Sequence, residues 1–247
     1  RSTIPAVQSA ELVEFSRACL EAMGLDETQS DERLRVALAG QDYLTTVVEQ
    51  SAEVSSARVT GPLKDFLPVA DSAAIIAGLA DPAIKIVSLT VTEGGYFLDA
   101  DGHFDPSSPA IAADAAEPQA PKTVFGLIAA ALARRRAEGI APFTVMSCDN
   151  IPHNGVVARS AVAGLARMSD AALADFIEGE VAFPNAMVDR ITPATGERER
   201  RLAAELFDID DAWPVFCEDF TQWVLEDTFT AGRPAFDEVG VEFVSDV

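Results

Sequence analysis

Apolar and polar positions along this chain switch between a helical and a strand-like period, and each switch marks an element. Residues 7–24, AVQSAELVEFSRACLEAM, put Leu12, Phe15, Cys19, Leu20 and Met23 on roughly one face of a helix, with Gly24 as its stop. Residues 26–33 are polar and read as a connection. Residues 43–48, YLTTVV, are a β-like run, with 54–60, VSSARVT, as its hairpin or neighbour. Asp71 is placed to cap a helix through IIAGLA that ends before Asp81-Pro82. Residues 84–91, IKIVSLTV, give the clearest strand. Apart from Lys85, Ser88 and Thr90 the run is apolar on both faces, as suits a strand covered on both sides in a parallel sheet.

Residues 104–121, rich in Pro, Ala, Ser and acids, read as a surface loop. A helix over 123–138 carries Arg134, Arg135 and Arg136 near its C-terminus, where the helix dipole favours cations, and Gly139 ends it. A strand over 142–147 follows, then a helix from near Asn154 and another over 170–179. The remaining pattern predicts a short strand at 181–183 and helices at 196–207 and 218–227. Strand–helix–strand–helix order argues for an α/β fold with a parallel sheet. No internal repeat is visible.

Composition narrows the function. Hydrophobic residues make up 49% of 247, enough to bury a sizeable core in one large domain or two small ones. The net charge of −22 opposes nucleic acid and anionic membrane surfaces as partners. Only Lys64, Lys85 and Lys122 among the 18 basic residues are lysines. Cys19, Cys148 and Cys217 are far apart and form no CxxC, so neither a disulfide framework nor a zinc site is predicted. A reducing cytoplasm is the expected location. No apolar stretch reaches membrane-span length, and the first residues do not read as a signal peptide.

Three polar clusters follow apolar runs. In "TVMSCDNIPHNG" (144–155), Asp149 and Asn150 offer short side chains suited to a ribose hydroxyl or a carboxamide. Pro152 and Gly155 fix the backbone, and Asn154 is placed to cap the next helix. In an open parallel sheet, ligands sit beyond the carboxyl ends of the strands, where this stretch lies. By spacing alone the favoured reading is a strand-to-helix turn with a cap, since Asn, Asp, Pro and Gly are common turn residues. In "VAFPNAMVDRITP" (181–193), Asn185 can donate to a substrate oxygen without charge; the other reading is a turn with an Asp189–Arg190 surface pair. In "TVTEGGY" (90–96), Thr92 or Glu93 can meet a cofactor where Gly94-Gly95 lets the backbone approach; the other reading is a glycine turn leaving a strand.

Together these stretches resemble the polyol-specific long-chain dehydrogenases, the mannitol dehydrogenase family. The resemblance covers roughly residues 36–247, through "AGQDYLTTVVE", "IKIVSLTVTEGGY", "PKTVFGLIAAALARRR", "FTVMSCDNIPHNG", "FPNAMVDRITP" and "DDAWPVFCEDFTQWVLED" in that order. It implies a Rossmann-like, mostly parallel α/β sheet with helices on both faces. Residues 1–35 stand apart as a non-matching N-terminal helical segment, and 36–247 form a partial nucleotide-binding domain. The implied reaction is NAD- or NADP-dependent hydride transfer between a mannitol-like polyol and a fructose-like ketose, without a metal. Small-molecule polyols or ketoses are then the partners, and oligomeric state is left open. Fructuronate and tagaturonate reductases are relatives, and a non-catalytic nucleotide- or sugar-binding module is the alternative.

Carried over by position, the resemblance makes Asn185 the asparagine that helps hold the reacting oxygen. It puts Asn150 at the nicotinamide end of the cofactor site, and Thr92 and Glu93 where the family contacts the cofactor; Asp149 beside Asn150 is a further cofactor-binding candidate. Asp189, Arg190 and His153 are expected to be structural. Two family features are not found: a GxGxFHRAHQ-type turn, since the chain has no G-x-G, and a KxxxxNxxH segment expected after "GVEFVSDV". The expectation is therefore a chain incomplete at both ends, lacking the first βα unit and the C-terminal helical domain, and inactive by itself. Trp213, Phe216, Phe220, Trp223 and Val224, near helical spacing, are either an apolar surface left uncovered by that domain or the inner face of a core helix.

Overall fold

The computed structural model describes residues 12–16, 27–68 and 70–247. In chain order the elements are β1 (Leu12–Ser16), α1 (Glu27–Ala39), β2 (Thr45–Gln50), β3 (Ser55–Thr60), α2 (Ser72–Ala80), β4 (Ile86–Thr90), α3 (Pro109–Ala116), α4 (Val124–Glu138), β5 (Thr144–Ser147), α5 (Asn154–Ser169), α6 (Ala171–Glu180), β6 (Ala186–Asp189), α7 (Glu197–Phe207), β7 (Val215–Glu218), β8 (Gln222–Glu226) and β9 (Glu242–Val244). Short 3₁₀ turns lie at Glu93–Tyr96 and Phe236–Val239. These elements form two compact units.

The unit that holds 12–16, 70–187 and 223–247 is built on a parallel sheet of order β1-β4-β5. Leu12 aligns with Ile86 and Ser16 with Thr90, while Ile86 aligns with Thr144 and Leu89 with Ser147. The carboxyl ends of all three strands therefore share one edge. Ile86, Val87 and Leu89 are buried, as are all four residues of β5, so these two strands are covered on both faces. α4 packs on α2 and α5, and α6 lies along α5. Asp71 Oδ1 accepts the Ala74 N–H to start α2, Thr123 Oγ1 accepts the Gly126 N–H to start α4, and Gly139 at φ 69° ends α4. β8 and β9 pair in parallel, Val224 beside Glu242.

The unit that holds 27–68 and 188–222 carries a sheet of order β3-β2-β7, antiparallel between β2 and β3 and parallel between β2 and β7. Val48, Phe216 and Ala203 of α7 form its core, with Leu202 and Phe207 against it. Asp211 ties the unit internally: its carboxylate accepts the Thr46 N–H at 2.6 Å, the Trp213 N–H at 2.7 Å and the Gln41 amide at 2.8 Å. Arg190 donates to Glu49 at 2.8 Å and to the Glu218 carbonyl, so its partner is not the neighbouring Asp189.

Several expectations are corrected. The helix read over 7–24 is a strand where it is described, at Leu12–Ser16; the rest of that run lies outside the described residues. LVEFS fits both periods, and pairing with the buried backbone of β4 decides it. From Glu27 on, the polar connection read at 26–33 is the start of α1, whose Glu, Gln and Arg are straight-chain helix formers. The loop at 104–121 contains α3, with Pro109 at its start, an alanine-rich body, and Ile111 and Asp114 buried. Residues 181–183 are not a strand of their own, although the Ala182 carbonyl accepts the Val145 N–H; the strand begins at Ala186. The helix read over 218–227 is instead the end of β7, a turn and the separate strand β8, because pairing of β7 with β2 and of β8 with β9 settles the backbone where the short runs do not. Trp213 and Phe216 are buried while Phe220 is exposed, so the aromatic run forms neither a helix face nor one continuous patch. Arg135 is not a solvated dipole partner but is buried, donating to the carbonyls of Leu79, Asp81, Ile84 and Ala141.

Candidate functional site

The loops that leave β4 and β5 and the chain entering β6 converge at one edge of the parallel sheet. β4 runs into Val91-Thr92, and β5 runs into Cys148-Asp149. The Asp149 carboxylate reaches across: Oδ1 accepts the Thr92 N–H at 2.8 Å and Oδ2 the Val91 N–H at 3.0 Å. Tyr96, fully buried at the end of the 3₁₀ turn, donates its hydroxyl to the same Oδ2 at 2.6 Å. Its oxygen also lies 2.6 Å from Ser147 Oγ. Burial, and then the adjacent Asp149, raise the Tyr96 pKa well above that of a free phenol.

Asn154 joins this cluster to the next segment. Its Nδ2 donates to the Asp149 carbonyl at 3.0 Å and to the Ala186 carbonyl at 2.7 Å, while its Oδ1 accepts the Ala186 N–H at 2.9 Å. Asn154 is thus a bridge between two segments and not the helix cap expected from its position. His153, at φ 52°, occupies the cap position without a side-chain cap bond. The cap is supplied by Asn185: its Oδ1 accepts the Gly155 N–H at 3.0 Å and the Val156 N–H at 3.4 Å. A Cβ on Gly155 would stand 2.4 Å from the Phe183 carbonyl oxygen, so only glycine fits there. Glu226 completes the clamp. Its Oε2 accepts the Asn185 backbone N–H at 2.9 Å and its Oε1 the Asn185 Nδ2 at 2.8 Å, while its own N–H donates to the Asn185 carbonyl.

Thr92, Asp149 and Asn185 are therefore brought together through Asn154. Thr92 is half-buried, Asn185 is buried, and Glu93 and Asn150 are exposed at the rim. Both Asp149 oxygens are engaged by the protein itself, so its carboxylate holds the loop in place. The Asn185 amide is fixed in one orientation, its oxygen at the start of α5 and its nitrogen toward Glu226. Glu226 and Asn154 were not singled out for these contacts in the sequence. An acid at the end of an apolar strand, Trp223-Val224-Leu225, was the only signal for Glu226. Among the described residues, no group of His, Cys, Asp and Glu is arranged to hold a metal ion.

A family model described as the mannitol dehydrogenase Rossmann domain matches residues 20–238. The chain belongs to the mannitol dehydrogenase family. Among curated relatives of this family member, mannitol 2-dehydrogenase of Cereibacter sphaeroides is 57% identical over 226 residues, covering 91% of this chain and 47% of the relative. Mannitol 2-dehydrogenase of Aspergillus fumigatus is 48% identical over 221 residues, covering 88% and 44%. The chain spans about half the length of the curated relatives it matches. A solved Pseudomonas fluorescens mannitol 2-dehydrogenase, in a ternary complex with NAD and D-mannitol, superposes with a TM-score of 0.88 at 46% identity, over 98% of this chain and 55% of that one. A substrate-free D-sorbitol dehydrogenase gives 0.85 at 43% identity, over 91% and 46%. The fold is thus that of a Rossmann domain, as the sequence resemblance implied.

Proposed function

We propose that this chain carries the nucleotide-binding domain of an NAD-dependent oxidoreductase that interconverts a mannitol-like polyol and a fructose-like ketose. The observation that carries the reading is the meeting of Thr92, Asp149 and Asn185 at the carboxyl edge of a parallel sheet like that of a relative bound to NAD and D-mannitol. Exposed Glu93 and Asn150 and half-buried Thr92 offer polar groups suited to the nicotinamide and ribose. Gly94 has open space around it, so backbone can approach a ligand there. NADP is accommodated by the same donors, and the sequence contains no G-x-G turn for the pyrophosphate.

NAD, when bound, supplies the hydride acceptor. This chain's own part is to hold the reacting oxygen. Asn185 Nδ2 carries two hydrogens, and Glu226 Oε1 takes one; the other is available to the substrate oxygen. Because Asn185 Oδ1 lies at the N-terminus of α5, the helix dipole polarises the amide and strengthens that donor as negative charge develops on the oxygen. The proton of the substrate hydroxyl needs a base, which in the family is a lysine of a KxxxxNxxH segment. No such segment occurs in residues 1–247.

Titration of the 247-residue chain with NADH, followed by coenzyme fluorescence, tests the binding reading; saturable binding is expected, and its absence overturns the reading. Mannitol and NAD added to the same chain should give little turnover, since general acid–base catalysis contributes about 10²–10⁴ in rate. Turnover near that of an intact relative would contradict the expectation that these residues lack the general base.

A further inference from the structure

We infer that Asp149 is a positioning residue whose carboxylate holds Thr92 in a backbone conformation that threonine avoids, and thereby presents the turn 92–96 to the coenzyme. The inference rests on the coenzyme reading above and adds to it the device that shapes the site.

Thr92 has φ 63° and ψ 164°. That region is populated essentially by glycine, and a β-branched residue there is strained. Phe97, at the other end of the turn, is also left-handed, at φ 52°. The two glycines between them, Gly94 and Gly95, do not take the positive φ values. The turn thus spends its glycines elsewhere: a Cβ on Gly95 would lie 3.1 Å from the Val91 side chain. Strain falls on Thr92 and must be held by neighbours.

Those neighbours over-determine it. Asp149 takes the N–H groups of Val91 and Thr92 on separate oxygens. The Thr92 carbonyl accepts the Gly95 N–H at 3.0 Å. Asp149 is itself fixed by the Tyr96 hydroxyl and by Ser147 Oγ, which accepts its N–H at 3.3 Å. Tyr96 is locked by burial and by Phe125, with ring centroids 5.4 Å apart. A carboxylate donated from β5 therefore sets the shape of a loop that leaves β4. Strained backbone persists where surroundings impose it, and it collects at ligand sites because a preset loop loses less freedom on binding.

A thermal cycle on the 247-residue chain, with NADH titrations on each variant, tests this. Thr92→Gly relieves the strain and is expected to raise Tm by about 2–5 °C. Asp149→Asn releases the loop, so in the wild-type background part of its cost is offset by relief at Thr92. In the Thr92→Gly background nothing is relieved, and the Tm loss from Asp149→Asn should be larger by a similar about 2–5 °C. A purely structural hydrogen bond gives equal losses in both backgrounds, which would overturn the clamp. If Asp149→Asn does not fold, Tyr96→Phe, which removes one bond to the carboxylate, is read in its place.

NADH affinity should fall about fivefold or more in both Asp149→Asn and Thr92→Gly. Thr92→Gly would then be more stable yet bind more weakly, a pairing that simple damage does not produce. Unchanged affinity alongside thermal coupling overturns the coenzyme part. No NADH binding by the wild type overturns the parent reading and this part with it, and the thermal cycle still decides the clamp.

Discussion

Asn185 Oδ1 accepts the backbone N–H of Gly155 at 3.0 Å across thirty positions of sequence. A segment that leads into β6 thereby caps a helix that begins after β5. The bond satisfies a helix-terminal N–H that the local residue, left-handed His153, leaves without a side-chain partner. It also fixes the orientation of the Asn185 amide, whose nitrogen is turned to Glu226.

Replacing Gly155 by alanine should destabilise the unit that holds the site by about 1–3 kcal/mol. The new Cβ would meet the carbonyl oxygens of Phe183 and Pro184 at 2.4 Å and 2.5 Å, both backbone atoms with little room to yield. The helix start would move off Asn185. Urea unfolding of the variant beside the wild type measures the change, and an unshifted midpoint would mean the close approach is not maintained in solution.

Asn185→Ala removes two acceptor bonds to Gly155 and Val156 and one donor bond to Glu226, and should cost about 2–4 kcal/mol. Glu226→Ala leaves the Asn185 N–H and amide unmatched and should cost about 1–3 kcal/mol. Because the two residues share bonds, the double variant should lose less than the sum, with a coupling of about 1–2 kcal/mol in a chemical-denaturation cycle. Additive losses would argue that the clamp does not act as one unit.

Arg135 is 1% exposed and its guanidinium gathers the carbonyls of four residues between Leu79 and Ala141. It also stacks over Phe143, 4.8 Å from the ring centroid. Burial lowers its pKa from the ordinary arginine value. Arg135→Ala would strand those carbonyls, and a loss of about 3–5 kcal/mol is expected. Arg135→Lys should recover little, because a single ammonium cannot span four acceptors in one plane. Thermal unfolding of both variants distinguishes a fork-specific role from a merely cationic one, which lysine would restore.

Tyr96 gives the stability a pH dependence at the alkaline end. Its folded pKa is raised, first by burial and then by Asp149, above the value of about 10 expected when unfolded. Above that unfolded value the unfolded chain releases the phenolic proton while the folded chain keeps it. Stability from this group is therefore whole below about pH 10 and is lost as pH rises further. Tyr96→Phe should be less stable near neutrality, since Asp149 and Ser147 each lose a partner, and should show a shallower decline above about pH 10. Unfolding midpoints across neutral and alkaline buffers check both features.

How much of this was legible in the sequence varied with the range of the forces involved. The covered strand IKIVSLTV, the Asp71 helix cap and the Gly139 stop were readable, because burial on two faces and capping act within a few residues. The edge of the sheet that carries the polar clusters was also readable from strand–helix order. LVEFS and QWVLE were not, since five-residue segments with three apolar positions fit either period and only a paired strand decides between them. Asp149 looked like a ligand group in sequence. Whether its oxygens face a cofactor or the Val91 and Thr92 N–H groups depends on the turn leaving β4, some fifty-seven positions away.

The sequence by itself determined the class of fold, the family, and which short polar stretches follow apolar strands, because composition, period and motif are local or nearly so. Only the tertiary structure decided that Asn185 caps α5, that Glu226 fixes the Asn185 amide, and that Asp149 holds Thr92 at a positive φ. Those are hydrogen bonds between segments distant in the chain, and their partners are selected by the parallel register of the sheet and not by neighbours in sequence.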